Sequence, residues 1–315
     1  MTITAIQRTG DLAYSLSIST DEFAALILPE IGGKIASFSS RRAGYEYLWQ
    51  PPDGVFSRPG YGAEYASHFA TGFDECFPTI LPCDYPDAPH CGVVVPDHGE
   101  VWTLAWSYRI GPRHIALSAE GRCLPYRLTK TVSVECENSL TFWYELQNLD
   151  VHPLRYLWSA HPLFNVRDDT VLQIDGSPWV EVFESASAAL GARGTRHVWP
   201  RANDSQSAVD LSHPGSRCRA ADKVFLGSLH SGQVLLAHKS LGEALLIEFP
   251  LEFAPFLGVW FNIYGWPEGD PHCNLGIEPT TTPSDLLTHS RNLLGGHCVQ
   301  TWWMRWTLQT YAAGG

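Results

Sequence analysis

Apolar and polar positions alternate with a period of two along most of this chain. In residues 128–135 (LTKTVSVE), Leu128, Val132 and Val134 fall on one face and Thr129, Thr131, Ser133 and Glu135 on the other, with Lys130 the one polar residue on the apolar side. Residues 141–148 place Phe142, Tyr144 and Leu146 together, and residues 302–310 do the same for Trp302, Met304, Trp306 and Leu308. Each pattern predicts a strand with one buried face. Further strands are predicted at 23–28, 34–40, 102–110, 114–120, 155–159, 171–174, 233–238, 244–248 and 258–264. Helical periodicity is scarce, and 27 Gly and 22 Pro punctuate the short strands. The pattern predicts an all-β fold, a large antiparallel sandwich with few short helices. No βαβ alternation, fixed-period repeat or linker-like stretch divides the sequence, so residues 1–315 are expected to form a single domain. Residues 185–220 are the least regular and are expected to be a long surface excursion.

Composition narrows the partners. The chain is 44% hydrophobic and 17% charged, which is ordinary globular composition. Its formal net charge of -12, spread along the sequence, repels phosphodiester backbones and anionic lipid, so neither nucleic acid nor a membrane is an expected partner. The opening MTITAIQRTGDLAYSL lacks a basic run followed by a long apolar one, which predicts a cytoplasmic protein. Eight cysteines are too dilute for a disulfide scaffold and form no CxxC pair; reduced thiols are expected. Three His-Cys dipeptides (His90-Cys91, His272-Cys273, His297-Cys298) do not imply a metal, because neighbours on a strand point to opposite faces. No metal or other cofactor is expected.

Four segments set ionisable residues among Gly, Pro and aromatics at strand ends: GFDECFPT (72–79), PDHGEVW (96–102), WSAHPLF (158–164) and GIEPTTTPSD (276–285). Loops held by a rigid scaffold are where chemistry usually sits. Each residue also has a plainer reading. A histidine is more often a satisfied core or surface residue than a catalyst. Phe73, Trp102, Trp158, Trp260 and Trp266 fill a core as readily as they stack on a bound ligand. Asp74 and Glu75 either bind hydroxyls or cap a turn, and Asp97 and Glu100 either orient His98 or are solvated loop charges, the second being the simpler reading.

Taken in order and separation, these segments resemble the galactose mutarotase and aldose 1-epimerase superfamily. Gly32-Gly33-Lys34-Ile35 and Tyr45-Glu46-Tyr47-Leu48-Trp49 are similar to its first strands. His98-Gly99 is similar to its first histidine motif, and Ala160-His161-Pro162-Leu163-Phe164, following Asn148, to its second. Gly276-Ile277-Glu278-Pro279 with Pro283-Ser284-Asp285 is similar to the strand carrying its glutamate. The resemblance spans most of the chain. It implies a β-supersandwich with a free sugar in an open cleft, and it carries roles over by position. Glu278 becomes the general base on the anomeric hydroxyl, His161 the general acid on the ring oxygen, and His98 a histidine that holds the sugar. Asp222, in Ala221-Asp222-Lys223-Val224-Phe225-Leu226, becomes the carboxylate that binds sugar hydroxyls, with Asp74 the other candidate.

Opening a cyclic hemiacetal needs such a pair on chemical grounds alone. One proton leaves the anomeric oxygen while another reaches the ring oxygen; the aldehyde then rotates and recloses. Positioned acid and base groups each contribute on the order of a hundredfold to ten-thousandfold, and imidazole suits a step that runs both ways near neutral pH. Two departures from the resemblance bear on substrate. The arginine that hexose-6-phosphate epimerases carry close after the first His-Gly is replaced by Glu100-Val101, which argues against a phosphorylated sugar. The Asn-Arg element of galactose-type members is absent, with GFDECFPT in its region, so the substrate need not be galactose or glucose. The expectation is an aldose 1-epimerase, monomeric or homodimeric, acting on a small-molecule carbohydrate. Its alternatives are a non-catalytic carbohydrate-binding protein on the same fold and a carboxylate-pair glycoside hydrolase in which Asp74 or Asp222 faces Glu278.

Overall fold

The computed structural model describes residues 1–7, 14–68, 71–186, 188–203 and 208–312, and within them the chain is almost entirely β. Helical elements among the described residues are short 3-10 turns at Tyr65–His68, Pro214–Ser216, Lys239–Leu241 and Leu287–His289. None is long and apolar enough to cross a membrane. The strand pairs inside the sheets are antiparallel, as the alternation predicted. The predicted strands at 23–28, 34–40, 114–120 and 233–238 match the observed ones end to end.

The chain falls into two compact units, Met1–Pro162 with Ser284–Met304 and Leu163–Pro283 with Arg305–Gly315. In the first unit, strands Tyr14–Ser19, Phe23–Leu28, Lys34–Ser40 and Phe73–Cys76 run side by side, and Phe73–Cys76 pairs with the start of Ser159–Asn165. A second sheet packs on this one through Ser107–Ile110, His114–Glu120, Tyr126–Ser133 and Ser139–Asn148. Tyr126–Ser133 is buried at every second residue, and the core lies on that side.

Lys130, the polar residue on the apolar face, is fully buried there and donates from Nζ to Glu75 Oε1 at 3.1 Å. Glu75 also accepts from the Tyr144 hydroxyl at 2.9 Å and the Trp158 indole at 3.0 Å. Burial raises the Glu75 carboxyl above its usual range, although Lys130, Tyr144 and Trp158 pull it the other way. Glu75 therefore belongs to a core network and caps no turn.

The second unit carries one sheet ordered Cys273–Thr280, Phe256–Ile263, Ala220–Gly227, Trp179–Ser185 and another built on Thr170–Ile174, Gln233–His238 and Glu243–Glu248. In the first of these sheets, strict alternation separates an aliphatic face from a polar one. Val224, Leu226, Val259, Leu275 and Ile277 are fully buried on the aliphatic face. Lys223, Gly258, Trp260, Gly276 and Glu278 share the other, as the cross-strand pairs Lys223 with Trp260, Trp260 with Gly276 and Gly258 with Glu278 require.

Three expectations change. Of residues 102–110 only Ser107–Ile110 is a strand, because the Trp102 and Trp106 indoles donate to the Asp97 and Val101 carbonyls and fold 101–106 into turns. Residues 155–159 split between the short Leu154–Arg155 bridge and the start of Ser159–Asn165. Within 185–220, Arg196–Val198, Arg201–Asn203 and Ala208–Asp210 form a small antiparallel extension of the sheet; residues 187 and 204–207 lie outside the described residues.

Candidate functional site

In the first unit, Asp74 and His161 stand opposite each other on paired antiparallel strands. Period-two alternation sends their neighbours Phe73 and Glu75 into the core and leaves this pair on the other face. Tyr65, from the 3-10 turn Tyr65–His68, joins them: its hydroxyl lies 3.1 Å from Asp74 Oδ2 and 3.2 Å from His161 Nδ1. The Lys34 ammonium donates to the same Asp74 oxygen and, at 2.6 Å, to the Thr71 carbonyl. Asp74 Oδ1 is buried and has no hydrogen-bond partner among the described residues.

A tight turn brings His98 to the same place. His98 and Gly99 both have positive φ, 56° and 70°, and a side chain on Gly99 would lie 2.0 Å from the Phe77 carbonyl oxygen, so only glycine fits. The His98 ring stacks on Tyr65 with centroids 4.0 Å apart and meets His161 edge-on at 5.2 Å. Its Nδ1 sits 2.9 Å from Asp97 Oδ1, while Asp97 Oδ2 accepts the Tyr65 amide at 2.8 Å. Burial raises the Asp97 carboxyl, but the hydrogen bond and charge of His98 with the Tyr65 and His98 amides outweigh it and hold the group below the usual carboxylate range. Asp97 thus orients His98 and is no idle loop charge. Glu100 is not solvated either: it is fully buried and accepts from the Tyr61 and Tyr126 hydroxyls, both at 2.9 Å, and from the Arg122 and Cys123 amides. Trp102 packs edge-on against Tyr65 at 4.9 Å. A shallow recess opens here, with Lys34, Tyr65, His68, Thr71, Asp74 and Trp102 in its wall.

In the second unit, Glu278 lies on the polar face of its sheet, fully buried and ion-paired with Lys223. Glycines make its room. A Cβ on Gly258 would lie 3.2 Å from Glu278 Oε2, and one on Gly276 would lie 2.6 Å from Oε1. Trp260 stands beside Gly276 and meets Trp266 edge-on at 6.4 Å.

No protein-family model matches the sequence, and no curated protein matches it. Solved structures do. A galactose mutarotase-like protein from Lactobacillus casei ATCC 334 superposes with a TM-score of 0.68 at 18% identity, over 94% of this chain and 100% of that one. The chain has the galactose mutarotase-like fold. A galactose mutarotase related enzyme from Lactobacillus acidophilus gives a TM-score of 0.69 at 14% identity, over 95% and 98% of the two chains. A galactose mutarotase-like protein from Clostridium acetobutylicum gives 0.68 at 11% identity, over 98% of each. The resemblance read from the motifs therefore holds for the fold along nearly the whole chain.

On this mutarotase-like scaffold the predicted residues sort into groups. His161, His98, Asp74 and Trp102 come together in the first unit; Glu278 and Trp260 come together in the second. Phe73 and Trp158 do not join them. Phe73 packs edge-on against Phe142, and Trp158 lies among Tyr144 and Trp302 with its indole on Glu75, both rings fully buried in the core. Asp222 is also separated from Glu278. It faces the aliphatic side of the sheet with its cross-strand partner Phe261 and is ion-paired with Arg217, whose guanidinium lies 5.0 Å over the Phe261 ring. Its neighbour Lys223 reaches Glu278 instead, as adjacent strand residues must point to opposite faces.

The sequence reading missed Tyr65, Lys34 and Lys223 as site residues. Lys34 and Lys223 were visible as charges inside strand-like runs, GGKIAS and ADKVFL, where a charge calls for a partner. Tyr65 sits in a loop with no periodic signal, and nothing in the sequence marked it.

Proposed function

We propose that the protein is an aldose 1-epimerase that interconverts the anomers of a free, non-phosphorylated sugar, with Glu278 as the base and His161 as the acid. The carrying observation is the buried cluster in which the His161 imidazole is held by Tyr65 beside His98 and Asp74. An imidazole can both give and take a proton near neutral pH, as exchange with a ring oxygen requires. Glu278, on a polar sheet face beside Gly258 and Gly276 and ion-paired with Lys223, supplies a carboxylate for the anomeric hydroxyl. Asp74 Oδ1 and Asp222 Oδ1 are both buried acceptors without a hydrogen-bond partner among the described residues, but Asp222 faces the aliphatic side of its sheet with Phe261, and this favours Asp74 as the carboxylate that binds a sugar hydroxyl. Trp102 and Trp260 are the aromatic faces suited to the C–H side of a sugar ring. No arginine is among the residues of the first-unit recess, which supports a neutral substrate over a phosphorylated one.

One observation favours a second reading, a carbohydrate-binding protein without catalysis: Lys223 already neutralises the Glu278 carboxylate. Two-dimensional exchange NMR on neutral aldoses, uronic acids and deoxysugars separates the two. Exchange cross-peaks between anomers that grow with protein concentration support the enzyme; line broadening without exchange supports the binder. The glycosidase alternative loses its Asp222 pairing, since Asp222 and Glu278 occupy opposite faces of one sheet.

A further inference from the structure

We propose that Asp97 is a positioning residue that keeps the proton of neutral His98 on Nδ1 and so presents the His98 Nε2 lone pair as the acceptor for a ligand hydroxyl. The inference rests on the functional reading above for the sugar that brings the hydroxyl, and it lies wholly within the first unit.

The assignment follows from the chemistry of the two groups. Asp97 Oδ1 lies 2.9 Å from His98 Nδ1. Asp97 is held below the usual carboxylate range, so it is ionised near neutral pH and can only accept. Nδ1 must therefore supply the proton of this bond. A neutral imidazole has one N–H, which leaves a lone pair on Nε2. Nothing in the protein takes it up: Nε2 has no hydrogen-bond partner among the described residues, and 18% of the His98 side chain is open to solvent.

Both members of the pair are held from outside it. Asp97 Oδ2 accepts the Tyr65 amide at 2.8 Å, and the Asp97 carbonyl accepts the Trp102 indole at 2.9 Å. The His98 amide donates to the Ile80 carbonyl at 2.6 Å, and its ring is stacked on Tyr65. His98 also keeps a φ of 56°, a left-handed conformation that costs a non-glycine residue free energy and that recurs where proteins clamp ligands. A carboxylate fixed on one side of an imidazole decides which ring nitrogen is offered on the other.

The test reads the tautomer with no sugar present. Long-range ¹H–¹⁵N correlation spectra of the full chain labelled with ¹⁵N-histidine, recorded above the titration of His98, distinguish Nδ1–H from Nε2–H. The His98 signal is assigned by its loss in His98→Asn, a residue that tolerates left-handed backbone. The expected result for the wild type is Nδ1–H. Asp97→Asn keeps the shape of the side chain and reverses the pairing: its carbonyl oxygen stays with the Tyr65 amide, its NH2 group turns to His98, and Nδ1 becomes the acceptor. The expected tautomer in that variant is Nε2–H, a change that a merely structural role for Asp97 does not produce. Nε2–H in the neutral wild type, a ring still cationic at pH 9, or Nδ1–H persisting in a folded Asp97→Asn overturns the proposal; if Asp97→Asn does not fold, the wild-type spectrum decides alone. On an aldose that supports exchange, Asp97→Asn should raise KM by roughly fivefold, the effect of one mispaired hydrogen bond, with kcat nearly unchanged. An unchanged KM in a variant whose tautomer has switched, or a lowered kcat at unchanged KM, overturns the hydroxyl-holding role. A protein that exchanges no aldose defeats the functional reading, whereas the tautomer measurement answers independently.

Discussion

Gly258 stands directly across the antiparallel ladder from Glu278, and a methyl group on it would come within 3.2 Å of the carboxylate and 3.4 Å of Lys223 Nζ. Gly276, two residues before Glu278 on the same face, leaves still less room, with Oε1 only 2.6 Å from where its Cβ would be. Trp260 Cβ would also lie only 3.0 Å away, so Gly276→Ala both displaces the carboxylate and presses on the neighbouring strand. The expected outcome is at least a tenfold loss of anomer exchange, from the proposed base moved out of reach, with stability lowered by about 1–3 kcal/mol, the usual cost of overpacking a buried site. Exchange NMR and urea unfolding on one preparation check it. Full activity in this variant would mean that the Glu278 carboxylate has no position to defend.

Glu278→Gln removes the proposed base and also strands the buried Lys223 ammonium. Breaking one side of a buried ion pair costs roughly 3–5 kcal/mol, so lost activity alone does not separate chemistry from misfolding. The double variant Glu278→Gln with Lys223→Met does. It should recover much of the lost stability in a urea titration and recover none of the exchange activity. Exchange restored along with stability would exclude Glu278 from the mechanism.

The Lys130–Glu75 pair gives a prediction with a pH sign. Burial already lifts the Glu75 carboxyl, and Lys130 is the largest influence opposing that lift. Lys130→Met removes it and moves the carboxyl further up. A group raised above its unfolded value of 4.5 favours folding below that pH, and the contribution is lost as pH rises through the folded value. The deficit of Lys130→Met relative to wild type should therefore be larger at pH 8 than at pH 5, where Glu75 takes up a proton in place of its lost partner. Equal deficits at the two pH values would show that Glu75 is not the group left exposed to the change.

How far the sequence was readable follows from which faces each strand buries. Phe23–Leu28, His114–Glu120 and Tyr126–Ser133 keep one side half-exposed, so alternation revealed them. Phe73–Cys76, Ala220–Gly227 and most of Ser159–Asn165 and Cys273–Thr280 are buried on both faces. Burial on both sides removes the period of two, and the periodicity did not mark these strands. They are also the strands that carry Asp74, His161, Lys223 and Glu278. Motif resemblance singled out His161 and Glu278, since it depends on residue identity and order. It misdirected at Asp222, because a match of neighbours cannot tell which of two adjacent strand residues faces the polar side. Tyr65 and Lys34 act through contacts with residues distant in sequence, His161 and Asp74, which no local pattern encodes.

His238 should set part of the acid limit of stability. It is fully buried at the end of Gln233–His238, with Nδ1 3.1 Å from the Thr170 hydroxyl. Burial pushes the imidazole down from 6.5 to about 4, with nearby Asp169 opposing and Arg167 reinforcing the shift. The unfolded chain therefore binds a proton here between those values and the folded one does not, so stability is retained above pH 6.5 and lost as pH falls towards 4. A shift of this size corresponds to roughly 3 kcal/mol over the whole window. Asparagine keeps a hydrogen-bonding side chain near Thr170 and does not titrate. Urea unfolding of wild type and His238→Asn at half-unit steps from pH 7 to pH 4 should give a steeper decline for the wild type, the two curves converging at the acid end. Parallel curves would mean that His238 takes up its proton at the same pH in the folded and unfolded states, and the acid sensitivity would then have to come from other groups.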